Sequence, residues 1–126
     1  MKVSVELDEQ KRVKSWASNG NLDNSNVYEV EESIWKSNWE AFLLQNDELV
    51  YDDNLKKAID EKRNITELIN LYKKMLNDTD YKAIKYSEGI ISEDEYAETK
   101  EKRKFWRKEI NRLEESLNNI NKIWKI

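Results

Sequence analysis

Residues 92–124 read SEDEYAETKEKRKFWRKEINRLEESLNNINKIW, and the spacing inside this stretch decides the fold. Trp106, Ile110, Leu113, Leu117, Ile120 and Trp124 recur at steps of 4, 3, 4, 3 and 4, and the same rhythm runs back through Arg103 and Thr99 to Tyr96. Alternating steps of three and four put these side chains on one stripe of a helix, the seam along which helices pack in a left-handed sense. The pattern predicts a helix over about 93–124. Ser92 followed by Glu95 has the capping-box spacing, and Glu93 and Asp94 place negative charge at the positive end of the helix dipole.

Working upstream, Leu55, Ala58, Lys62, Ile65, Ile69, Tyr72 and Leu76 repeat the heptad rhythm and predict a first long helix over about 53–77. Asn77, Asp78, Thr79 and Asp80 are residue types that compete for backbone hydrogen bonds, so they are expected to end that helix and cap a short one over 81–86, stopped by Gly89. The carboxy-terminal half therefore reads as long helix, short helix, long helix. Its seam suits either an antiparallel hairpin within one chain or a bundle between chains. Lys62 and Arg103 are the charged members of the two stripes and are expected to snorkel or to pair with carboxylates.

The front of the chain follows a different period. Val3, Val5 and Leu7 alternate with polar residues, a polar break follows over 8–11, and Arg12–Trp16 returns, which predicts a β-hairpin. The run of Ser, Asn, Gly and Asp over 18–26 reads as a loop, and Val27–Glu31 as a short third strand. Residues 41–45 and 48–51, joined by Asn46-Asp47, read as a second hairpin with a two-residue turn. Between them Ile34, Trp35 and Trp39 sit at helical or turn spacing, with their indoles expected on the small sheet. The predicted fold class is α+β: a small antiparallel β module over 1–52, then a coiled-coil-like helical hairpin over 53–126.

Charge changes at the same place. Residues 1–52 carry 5 basic and 11 acidic side chains, and residues 53–126 carry 17 and 15. In the whole chain of 126 residues there is no cysteine, no histidine and no proline. Disulfides, thiol nucleophiles, Cys-type zinc sites and the commonest general base are thereby excluded. Carboxylates, lysines and tyrosines remain, and no spacing singles out a catalytic pair, so the expectation is a non-enzymatic interaction protein with no cofactor and no metal. Mean hydropathy is −0.98, no apolar run approaches a membrane span, and Met1–Glu6 turns charged too early for a secretory leader, so use without export is expected.

Two charge clusters invite chemistry. Residues 100–112 hold seven basic and two acidic side chains around Phe105 and Trp106, the mixture that a single-stranded nucleic acid would require. A solvated helix face laced with pairs four apart, such as Glu98 and Lys102, accounts for the run better, and the net charge of −4 does not attract a polyanion. The acids Glu93, Asp94 and Glu95, with Glu98 nearby, are consecutive on a helix start rather than alternating as in a calcium loop, so capping explains them. The five tryptophans point instead to protein interfaces, with Trp124 as the leading candidate.

Thr79-Asp80-Tyr81, the acidic opening Ser92 to Tyr96, and Arg103-x-x-x-Arg107 within Arg103–Ile110 together resemble the carboxy-terminal module of tailed-bacteriophage tail assembly chaperone and tail-fibre assembly proteins, over about residues 77–112. Tyr81 stands where tryptophan is common in that module, and the last helix extends well beyond the motif. The front hairpin and the segment over 44–52 resemble small proteins of phage tail and fibre gene clusters. The resemblance implies a tail protein that binds tail-fibre, receptor-binding or baseplate subunits, as an assembly chaperone or as a permanent component. It implies the bacterial host cytoplasm during assembly, and the virion tail for a component that stays. Partner binding is expected at Tyr81, Tyr96, Arg103, Trp106, Arg107, Ile110, Leu113, Leu117, Ile120 and Trp124. The rival expectations are a self-associating coiled-coil structural protein and, less favoured, a nucleic-acid-binding regulator.

Overall fold

The computed structural model describes residues 1–18 and 26–126. Most of the expected loop over 18–26 therefore lies outside the described residues. The fold is α+β, with antiparallel strands first and two long helices after them. By internal packing the chain forms two compact units, Met1–Ile59 and Asp60–Ile126. Strand gives way to helix at residues 51–53, and the first unit also takes in the opening turns of the helix that begins there.

In the first unit β1 (Lys2–Leu7) lies between β2 (Val13–Ser18) and β3 (Asn26–Glu29), antiparallel to both. The turn between β1 and β2 is organised by Asp8. Its carboxylate accepts from the backbone N–H groups of Gln10 (2.9 Å) and Arg12 (3.0 Å), and its own N–H donates to the Arg12 carbonyl (2.9 Å). A polar break thus becomes a turn because the aspartate supplies acceptors that the backbone lacks there. The third strand ends two residues before the sequence reading placed its end, and Val30, just beyond it, is buried.

Helix α1 (Glu32–Asn38) and a 3-10 turn (Trp39–Ala41) lead into the second hairpin, β4 (Phe42–Gln45) with β5 (Glu48–Tyr51). Asn46 and Asp47 both have positive φ, 53° and 64°, the signature of a type I′ turn whose twist matches that of the strands. Aspartate pays a steric cost in this region that glycine does not. Asp47→Gly is therefore expected to stabilise the first unit by about 0.5–1 kcal/mol, read as a rise in its urea midpoint. Lys11 and Arg12 join the two hairpins, through an Arg12–Leu43 bridge and a 2.8 Å bond from the Leu44 N–H to the Lys11 carbonyl. Val3, Val5, Val13, Val30, Trp35 and Phe42 form the core, with Trp16, Trp39 and Leu49 packed on its edge. The expected placement of Trp35 and Trp39 on the sheet holds, whereas Ile34 points outward.

Helix α2 (Asp53–Ser87) opens on Asp52, whose carboxylate accepts from the Leu55 N–H at 3.1 Å. The helix then runs unbroken for 35 residues, which corrects the expected stop over 77–80 and the separate short helix. The residues read as caps are used otherwise. Thr79 Oγ1 bonds back to the Met75 and Leu76 carbonyls (2.9 and 3.1 Å), and Asp80 accepts from Arg103. Gly89, at φ 75°, closes α2: its N–H donates to the Tyr86 carbonyl (3.0 Å) and that of Ile90 to the Lys85 carbonyl (2.8 Å). These two bonds are a Schellman motif, which needs a left-handed residue where glycine stands.

Helix α3 (Glu93–Trp124) starts and ends as its periodicity predicts. Ser92 accepts from the Glu95 N–H at 3.2 Å and donates to the Glu95 carboxylate at 3.2 Å. Tyr86 stacks on Tyr96 with centroids 4.7 Å apart, Tyr72 meets Phe105 edge-on at 6.2 Å, and Lys73 pairs with Glu114 at 3.7 Å. Positions rising along α2 meet positions falling along α3, so the two helices form an antiparallel hairpin within one chain.

Candidate functional site

The ten residues expected to bind a partner divide sharply by exposure. Tyr96, Arg103, Ile110, Leu113 and Ile120 are buried, and Trp106, Leu117 and Trp124 are half-buried, all on the α3 stripe that forms the seam. Only Tyr81, 65% exposed, and Arg107 present themselves to solvent. The apolar seam is occupied by the packing of α2 and α3, and substituting Leu113 would disturb that packing before any other contact.

Arg103 is the most constrained member. Its guanidinium donates to the Leu76 carbonyl (2.7 Å), to Thr79 Oγ1 (2.6 Å) and to Asp80 (2.9 Å). The planar fork of an arginine reaches three acceptors on one helix face where a lysine would reach fewer. The Thr79-Asp80 and Arg103 portions of the recognised pattern are therefore one tertiary contact between α2 and α3.

The basic run is likewise partly spent within the chain. Lys102 pairs with Glu98 (3.0 Å), Lys104 with Glu101 (3.5 Å), and Arg112 with Glu109 (2.7 Å). The hydrogen bond and charge of Lys102 hold the Glu98 carboxyl below its ordinary range, and Glu109 raises the Arg112 guanidinium for the same pair of reasons. Four of the seven cations over 100–112, Arg103 included, thus have carboxylate partners. Among the described residues no group of three or more acidic side chains is placed to hold a metal ion, and no helix is long and apolar enough to cross a membrane.

At the closed end of the hairpin stand three exposed apolar side chains: Tyr81 and Ile84 on the last turns of α2, and Ile90 just past Gly89. Lys85 lies over the Tyr81 ring at 4.3 Å, which leaves a cation and an aromatic face together at the surface. Sequence reasoning found Tyr81 through its motif and missed Ile84 and Ile90. For Ile84 the available signal was that it lies off the heptad stripe yet is aliphatic, where a solvated helix face would carry polar residues. Compared with known proteins, the chain matches no family model, no curated protein and no solved structure.

Proposed function

We propose that this chain is a non-enzymatic binding protein of the tailed-phage tail, which engages a tail-fibre, receptor-binding or baseplate subunit through the tip of its helical hairpin. The observation that carries the reading is the exposure of Tyr81, Ile84 and Ile90 together, on the segment whose sequence resembles tail assembly proteins. Exposed aromatic and aliphatic side chains contribute little to the free monomer and gain on desolvation against a partner. Arg107, exposed on α3, supplies a polar contact of the kind found at interface rims. The absence of histidine and cysteine from the chain favours binding over turnover. Residence in the host cytoplasm during assembly follows from the same reading, and residence in the particle follows for a permanent component.

The test is quantitative mass spectrometry of purified particles and of the lysate that produced them. A stoichiometry matching tail symmetry identifies a structural component, and co-purification with tail subunits from the lysate alone identifies a chaperone. Absence from both particles and tail-subunit complexes overturns the reading. The double variant Tyr81→Ala with Ile84→Ala is expected to reduce recovery of the tail subunit at least about tenfold, with far-UV circular dichroism unchanged because both side chains are exposed.

A further inference from the structure

Helix α2 carries a second stripe that the hairpin does not use. Leu68, Leu71 and Met75 follow one another at steps of 3 and 4, displaced around the helix from the seam residues Ile65, Ile69, Tyr72 and Leu76. Leu68 and Leu71 are 42% and 45% exposed, and Met75 is half-buried. Phe105, on the neighbouring helix and also exposed, extends the patch through its edge-on contact with Tyr72.

The heptad steps continue at both ends. Asn64 and Glu61 precede Leu68 at steps of 4 and 3, while Asp78 and Lys82 follow Met75 at steps of 3 and 4. All four are exposed. The stripe therefore reads acidic, polar, apolar, acidic, basic, and its two ends carry opposite charge. Turned end over end about Leu71, it sets Glu61 against Lys82, Asn64 against Asp78 and Leu68 against Met75. Beside it Glu67 falls against Lys74, which within the chain also pairs with Asp78 at 3.8 Å, and neither Glu61 nor Glu67 has a salt bridge among the described residues. A surface complementary to itself under a two-fold rotation is what an isologous dimer requires, and end charges of opposite sign select the antiparallel over the parallel pairing.

We infer that a second copy of this chain docks on the Leu68–Leu71–Met75 stripe of α2, antiparallel, with a two-fold axis passing beside Leu71. The basic end of the stripe borders Tyr81 and Ile84 at the hairpin tip, but self-association of the chain alone, with no tail subunit present, is tested independently of the tail-protein reading.

The experiment is sedimentation equilibrium of the full chain over about 1–200 µM. The wild-type protein is expected to move from 15.2 kDa to twice that mass. Glu61→Lys alone and Lys82→Glu alone each place like charges opposite one another across the axis, and each is expected to weaken the dimer at least about tenfold. The two together restore opposite charges at both ends and are expected to return the dissociation constant to within about threefold of wild type. Leu71→Glu is expected to remain monomeric, with unchanged far-UV circular dichroism showing that the hairpin is folded. A wild-type chain that stays monomeric throughout overturns the inference, as does a dimer that the paired reversal fails to rescue.

Discussion

Trp35→Ala is expected to unfold the first unit. The indole is fully buried at the centre of the small core, meeting Trp16 edge-on at 5.6 Å and Phe42 at 5.0 Å. Truncation to a methyl removes the largest fully buried side chain of the described residues and leaves a void that neighbouring strands can only partly close. Such substitutions cost about 3–5 kcal/mol. An ordinary domain is stable by about 5–15 kcal/mol, and small units stand toward the lower end because they bury less of their surface. The substitution therefore consumes most of what holds Met1–Ile59 together. The expected outcome is loss of the near-UV circular dichroism of the packed indoles and a urea transition shifted to low concentration. Trp35→Phe, which keeps an aromatic ring against Trp16 and Phe42, is expected to retain the signal with a smaller shift. A Trp35→Ala protein with native near-UV bands and an unchanged midpoint would contradict this account of the core.

The second large effect is expected at Arg103. Its residue exposure is 6%, and its three acceptors, the Leu76 carbonyl, Thr79 Oγ1 and Asp80, all lie on one stretch of α2. Hydrogen bonds made by a charged group each contribute about 1.5–3 kcal/mol, and they are not additive within one network. Arg103→Ala is expected to cost about 2–4 kcal/mol, including the lost packing of the aliphatic stem. Arg103→Lys should recover little, since a single ammonium cannot reproduce the fork. Asp80→Ala is expected to cost less, about 1 kcal/mol or under, because the Asp80 side chain is 52% exposed and water screens its charge. The measurement is urea unfolding followed at the helix band, with the double variant completing a cycle. A loss from Asp80→Ala as large as that from Arg103→Ala would show that the ion pair, rather than the buried bonds to Leu76 and Thr79, holds the helices in register.

The Arg103 contact also explains where reading the sequence stopped. Asn77, Asp78, Thr79 and Asp80 are each poor in a helix interior, and local propensity alone ends α2 there. The helix nonetheless continues to Ser87. A residue 23 positions away along the chain occupies the Asp80 carboxylate that would otherwise compete for backbone groups, and also bonds Thr79 and the Leu76 carbonyl. No window of sequence around residue 79 contains that information. The same holds for the ten residues expected at a partner surface. The spacing of eight of them, Tyr81 and Arg107 excepted, showed that they share a stripe, yet a heptad stripe has the same appearance whether it faces another chain or its own neighbouring helix.

What the sequence determined by itself was local. Alternation over residues 2–7 and 13–18 made strands, Asn46-Asp47 made a tight turn, Ser92 with Glu95 capped α3, and steps of three and four carried that helix to Trp124. Each depends on groups within a few residues of one another, where backbone geometry and hydrogen bonding act directly. The tertiary structure alone decided that α2 runs unbroken, that the seam closes within the chain, and that Tyr81, Ile84 and the Leu68–Leu71 stripe are left outward. Those outcomes depend on which apolar face finds which other in three dimensions, and burial of a face is a property of its partner as much as of its own residues.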